Sequence, residues 1–249
     1  MIELIDFTKK YKNFTACNNI SFVCEDCQIT GLLGPNGAGK STILKAICGV
    51  HFPTFGKVFV DELSVEEKTV EVQKLIGYVS ENAVYPGYYS VLELLKEICE
   101  LRFRTKDNYS RKENLEKIEK VVSQMELEEV LYKKISTLSK GYKQRLSFAT
   151  SLIHNPKVLI LDEPVSGLDP MQIVEMRSLI KKLGKEKTIL LSTHLMQEAK
   201  ELCDKVLILH KGKLIAKGTV DEVCKKTNTT DLEKAFLVLA KENSESNKE

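Results

Sequence analysis

The chain has 249 residues, 43% hydrophobic and 29% charged, with 37 Lys+Arg against 35 Asp+Glu for a net charge of +2. That is long enough for one or two compact cores, too polar and varied for a fibrous or disordered protein, and too balanced in charge to point to nucleic acid or an anionic membrane as main partner. No apolar run approaches the roughly 18 residues needed to span a bilayer, and MIELIDFTKKYKNF carries charges where a signal peptide needs an apolar stretch, so a soluble, cytosolic protein is expected.

In chain order, alternation in IELIDF, then SFVC, then apolar ITGLL predicts short strands between residue 2 and about 33. ITGLL runs into GPNGAGKST, and the following TILKAICGV has the apolar spacing of a helix. GKVFVDE reads as a further strand, and KLIGYVS at 74–80 as a buried strand ending near Glu81. The character then changes. Val91, Leu94, Leu95, Ile98, Leu101 and Arg102 fall at helical spacing, and residues 111–130 repeat the period with Leu115, Ile118, Val121, Val122, Met125 and Val130. This is a helical block of about 55 residues inside a strand-rich domain. Strand patterns resume in KVLILDEP at 157–164, TILLSTH at 188–194 and KVLILHKGKLIAKG at 205–218, so a mainly parallel sheet covered on both faces is expected. From 241 the chain reads as a polar, frayed tail.

Seven cysteines are an odd count in a chain too large to need staples, and read as reduced thiols. Cys24 and Cys27 have half-zinc spacing, but no second pair completes four ligands, so they read as ordinary turn and core residues. Sequons at Asn13, Asn108 and Asn228 carry no meaning in a cytosolic protein.

The loop from Gly34 to Ser41 fits G-x-x-x-x-G-K-[ST] between a strand and a helix. Gly34, Gly37 and Gly39 let backbone N–H groups turn inward around phosphate oxygens, Lys40 brings a cation to the terminal phosphates, and Ser41 offers a hydroxyl to Mg²⁺. Such a loop needs a metal-holding carboxylate on a neighbouring strand. VLILDEP supplies Asp162 at a strand's carboxyl end, and Glu163 beyond it is placed to orient or deprotonate an attacking water.

The remaining motifs, in order, are Tyr11, GPNGAGKST at 34–42, YVSE at 78–81, LSKGYKQR at 138–145, VLILDEP at 158–164, SGLDP at 166–170 and STH ending at His194. With these the sequence resembles the nucleotide-binding subunit of ATP-binding-cassette (ABC) transporters along nearly its whole length. The resemblance implies an α/β P-loop NTPase: a mainly parallel sheet, an N-terminal antiparallel strand region and an inserted helical subdomain. It divides the chain into an ATP-binding core at 1–81 and 157–240, a helical subdomain at 82–156, and a tail at 241–249. It implies ATP and Mg²⁺ as cofactors, with Tyr11 stacking on adenine and Asn36 and Thr42 sharing the phosphate loop with its glycines, Lys40 and Ser41. Ser139 and Gly141, opening a helix at 142–153, would serve ATP bound by the opposite subunit, Asp169 would sit at the subunit interface among the nucleotide-binding residues, and His194 would hold Glu163 and the water in line. Glu81 would sense the metal beside Ser41 and Asp162.

Two motifs depart from the family pattern. Lys140 and Tyr142 flank Gly141 where glycine and glutamine are usual, and Glu81 replaces a glutamine. Both look like the exporter branch that includes bacterial sodium, drug and gliding-motility ATPases. The implied partners are a second ATP-binding subunit, a homodimer by preference, and a separate integral-membrane permease that holds the protein on the inner face of the cell membrane. The aromatic stretch AVYPGYY at 83–89 is the expected docking surface for the permease. The alternative is a soluble ABC-type ATPase acting on nucleic acid or ribosomes, disfavoured by the single cassette and the lack of basic bias. A nucleotide sensor without turnover is disfavoured because Lys40, Asp162, Glu163 and His194 are all present.

Overall fold

The structure, a computed structural model, describes residues 1–103 and 111–245; the sequon at Asn108 and residues 246–249 of the expected tail lie outside these ranges. β1 (Ile2–Tyr11) and β2 (Phe14–Cys24) form an antiparallel hairpin. Both outrun the short strands expected. Register shifts along β1, one of them spanning Asp6 at φ 49°, break the period-2 alternation yet let the pairing continue. β3 (Ile29–Leu33) is buried at every position, as a central parallel strand must be, and leads through the glycine loop into α1 (Lys40–Ile47).

β4 (Phe55–Val60) and β5 (Leu63–Ser64) turn tightly through Asp61 and Glu62, both at positive φ as a two-residue hairpin requires. α2 (Thr69–Leu75) occupies the start of the expected strand at 74–80, which shortens to β6 (Ile76–Val79). Its spacing escapes notice because Val72 is its one buried residue. α3 (Val91–Phe103) and α4 (Arg111–Gln124) follow. α3 buries Val91, Leu95, Cys99 and Phe103 at four-residue steps, which leaves Leu101 off the stripe and 73% exposed; Leu115 is likewise exposed on α4. Both had been expected on the inward faces.

Two 3₁₀ turns, Glu128–Val130 and Ile135–Thr137, lead to α5 (Lys140–Leu152), which starts two residues earlier than the sequence suggests because Ser139 caps it. Then come β7 (Val158–Asp162), α6 (Pro170–Gly184), β8 (Thr188–Thr193), α7 (Met196–Leu202), β9 (Lys205–His210), β10 (Lys213–Gly218), α8 (Val220–Lys226) and α9 (Leu232–Glu245). α9 takes up residues 241–245, which the sequence had suggested would fray.

The strands make two sheets, an antiparallel one ordered β2-β1-β4-β5 and a six-stranded one ordered β10-β9-β3-β8-β7-β6. The second is parallel throughout except for β10, the α/β arrangement expected. One apolar cluster joins α3, α4 and α5 to Leu159, Leu161 and Leu191 of the sheet, so the helical block shares its core with the strands. A second cluster around α1 lies between the two sheets, and a third seats α7, α8 and α9 against β3 and β9. No helix among the described residues is long and apolar enough to cross a membrane. The register pairs Leu33 with Thr193 and Asp162 with Ser192, bringing three strand ends to one edge of the sheet.

Candidate nucleotide-binding site

The loop after β3 is shaped by glycine. Gly39 sits at φ 108°, and a Cβ there would fall 2.8 Å from the Ala16 carbonyl and 2.9 Å from Cys17 Sγ, so only glycine lets α1 begin at Lys40. Lys40 is buried; its Nζ donates to the Gly34 carbonyl at 2.7 Å and stands 3.6 Å from Glu163 Oε1. A cavity of about 250 Å³ opens here, lined by Asn36, Gly37, Gly39, Lys40, Ser41 and Thr42 from the loop and α1, and by Glu81, Asp162 and Glu163 from other strand ends. It is smaller than the roughly 300 Å³ at which sites for drug-sized molecules begin, and suits a phosphate chain rather than a whole nucleotide.

The end of the β1–β2 hairpin borders the cavity. Tyr11 and Phe14 face each other there in register. Phe14 lines the cavity and Tyr11 does not. The Tyr11 ring is 45% exposed, with Lys9 Nζ 5.3 Å from its centroid and His51 edge-on at 6.0 Å.

Asp162 and Glu163 are aimed by their neighbours. Ser192 Oγ donates to Asp162 Oδ1 at 2.6 Å, and the Tyr78 hydroxyl donates to Oδ2 at 3.2 Å. Burial, then the Asp162 charge, push the Tyr78 phenol up, so it remains a donor. Glu163 stands at φ 49°, a left-handed conformation a non-glycine residue avoids, and its N–H is tied to the Ser192 carbonyl at 3.1 Å. The strained backbone turns the Glu163 side chain back across the cavity. There Oε1 faces Lys40 while Oε2 accepts from His194 Nδ1 at 3.0 Å.

Among the described residues no group of three His, Cys, Asp or Glu side chains stands ready to hold a metal unaided. The oxygen donors Ser41, Glu81 and Asp162 line the one cavity, and hard oxygens of this kind fit Mg²⁺ when phosphate and water complete its shell. Glu81 Oε1 accepts from Ser166 Oγ at 3.4 Å, which ties the end of β6 to the turn before α6.

Ser139, Gly141 and Asp169 are not part of this cavity. They line another, of about 550 Å³, between α5 and α6. Ser139 Oγ accepts from the Tyr142 N–H at 3.4 Å, and Asp169 forms a capping box with Gln172 at the start of α6. A Cβ on Gly141 would meet the Gln172 side chain at 2.7 Å, so this glycine also permits close packing of the two helices. Within one chain the two groups of site residues stay apart.

Phe14, Ala16 and Ser192 belong to the site and were not foreseen. The hairpin turn could have signalled Phe14. Ser192 sits inside STH, but which strand lies beside β7 is not written in local sequence. Cys24 is buried and Cys27 exposed, and both thiols are free.

Of the chain, residues 17–166 match the family model described as ABC transporter. The probable multidrug ABC transporter ATP-binding protein YbhF of Escherichia coli is 34% identical over 96% of this chain, which spans only 41% of that protein's length. The bacitracin transport ATP-binding protein BcrA of Bacillus licheniformis is 35% identical over 94% of this chain and 74% of its own. A solved ATP binding subunit of an ABC transporter superposes with a TM-score of 0.85 at 27% identity, covering 96% of this chain and 99% of that one. The dimeric, post-hydrolysis structure of the ATP-binding cassette MJ0796 bound to ADP and Pi gives 0.79 at 25% identity, covering 88% and 99%. The chain belongs to the ABC transporter family, and its fold is that of the family's ATP-binding cassettes.

Proposed function

We propose that this protein is the ATP-hydrolysing subunit of an ABC exporter, working as a pair of cassettes on the cytoplasmic face of a membrane through a separate permease chain. The observation that carries the hydrolytic reading is the position of Glu163, which faces Lys40 through one oxygen and accepts from His194 through the other at the wall of the phosphate cavity. Lys40 binds the terminal phosphates, Glu163 takes the proton of the attacking water, and His194 fixes the carboxylate. Ser41, Glu81 and Asp162 would hold Mg²⁺, which supplies charge neutralisation on the triphosphate. Tyr11, with Phe14 opposite, offers an aromatic surface to the base.

Pairing is supported by the separation of Ser139, Gly141 and Asp169 from the phosphate cavity, since these residues reach a phosphate only if another copy brings it to them. Export is supported by the multidrug and bacitracin transport names of the two relatives. For the permease, the stretch at 83–89 offers less than its composition suggests. The Tyr85 hydroxyl bonds Thr150 Oγ1 at 3.0 Å and Tyr89 packs on the main core, which leaves Val84 and Tyr88 outward. An adjacent groove of about 660 Å³, which includes Tyr78, Ile98 and the exposed Leu101, extends this apolar surface and is the proposed seat of a permease segment.

Mixing Lys40→Ala with Ser139→Arg chains tests the pairing. One composite site per mixed dimer remains intact, so the mixture should hydrolyse ATP faster than either variant alone. Turnover per chain that is independent of protein concentration would contradict it.

A further inference from the structure

His194 is 48% exposed, so packing does not hold its ring; its place depends on the backbone turn that follows β8 and on the bond to Glu163. That turn is locked from beneath. Thr193 is fully buried, its Oγ1 accepts from the Leu195 N–H at 3.0 Å, and the same hydroxyl donates to Glu198 Oε2. Glu198, on α7, is 1% exposed, and its Oε1 has no hydrogen-bond partner.

A buried carboxyl with one oxygen unsatisfied weakens a fold. Its own helix and the neighbouring α9 contribute Ala199, Leu232, Ala235 and Leu239 to an apolar cluster, and β3 carries no ionisable residue. Facing groups with charge are Glu163 and His194 from the site and Arg177 from α6, whose Nη1 donates to Glu201 at 2.5 Å while its buried Nε has no partner among the described residues. Burial, against the opposing pull of the Thr193 bond, pushes the Glu198 carboxyl up to about 7.

We propose that Glu198 is a positioning residue for hydrolysis: through Thr193 it holds the turn that presents His194 to Glu163. The inference rests on the reading of Glu163 and His194 as the hydrolytic pair. It accounts for a buried acid that spends one oxygen on Thr193 and leaves the other without a hydrogen-bond partner.

The test is Glu198→Met, Glu198→Gln and Thr193→Val, each assayed for melting temperature, KM for ATP and kcat, with Glu163→Gln and His194→Ala in parallel. Glu198→Met should lower kcat about tenfold, the loss expected of one hydrogen bond, at near-constant KM. Glu198→Gln keeps an acceptor for Thr193 and should retain kcat within about twofold. Thr193→Val should lower kcat as Glu198→Met does, and Thr193→Ser should restore it, which keeps the question open to test if the Met variant does not fold. Unchanged kcat in both Glu198→Met and Thr193→Val, while the two parallel variants lose turnover, overturns the inference alone. Normal turnover in the parallel variants overturns the reading beneath it.

Discussion

Lys40 Nζ and Glu163 Oε1 stand 3.6 Å apart, both withdrawn from solvent, and the stronger bond of the ammonium runs at 2.7 Å to the carbonyl of Gly34 in its own loop. On the proposed reading, the cation that meets phosphate and the carboxylate that meets water are thus held by one another and by the backbone around the cavity. A triphosphate has to draw Nζ toward itself, which frees one oxygen of Glu163.

Lys40→Ala removes a charge-assisted donor from that cavity. Nucleotide affinity should fall by roughly 10- to 100-fold, the equivalent of about 1.5–3 kcal/mol, while the chain still folds, because Glu163 keeps its bond to His194. Titration calorimetry with ATP and thermal melting of the same sample check both parts.

Gly39→Ala should be disruptive although it adds one methyl. The left-handed φ of 108° and the Ala16 carbonyl 2.8 Å from the new carbon should together destabilise the fold by roughly 1–3 kcal/mol and weaken phosphate binding. Urea denaturation and nucleotide titration measure the two effects.

Ser192→Ala leaves Asp162 Oδ1 without its 2.6 Å donor but leaves the Tyr78 bond in place. Loss of a hydrogen bond that orients a metal-holding carboxylate should raise the Mg²⁺ concentration for half-maximal turnover about tenfold. Binding of ATP in the presence of a chelator should change little.

The acid limb of stability should carry a contribution from His154. Its Nε2–H donates to the Ile76 carbonyl at 3.0 Å, and burial, then the Arg102 charge, hold the imidazole down at about 4. A folded value below the ordinary 6.5 means stability that is full above pH 6.5 and lost as pH falls through about 4. His154→Gln should flatten that loss in denaturation curves taken between pH 7 and 4. Glu198 acts in the opposite sense: raised to about 7, it stabilises below pH 4.5 and ceases to as pH rises through 7. The difference between wild type and His154→Gln isolates the histidine.

What was legible in the sequence was what is contiguous in it. The phosphate loop could be read because strand, glycines and helix start lie within one short run, and β7 and β8 because burial on both faces leaves the apolar runs VLIL and ILL at their centres. What depends on which strands are neighbours was not legible. Ser192 aims Asp162 because β7 lies beside β8, thirty residues away along the chain. The helical periods at 91–103 and 111–130 found α3 and α4, but the second ran past Gln124 into the 3₁₀ turn at Glu128–Val130, and they placed Leu101 and Leu115 inward, because spacing shows that a face exists before it shows its centre or its end.

Glu163→Gln separates the binding of ATP from its hydrolysis. The amide keeps the size of the side chain and an acceptor for His194, but it cannot take a proton from water. ATP binding and turnover should be measured on the same purified protein. Affinity within a few-fold of wild type, with turnover lower by roughly 100- to 10,000-fold, is the predicted result. Turnover at the wild-type rate would contradict the account.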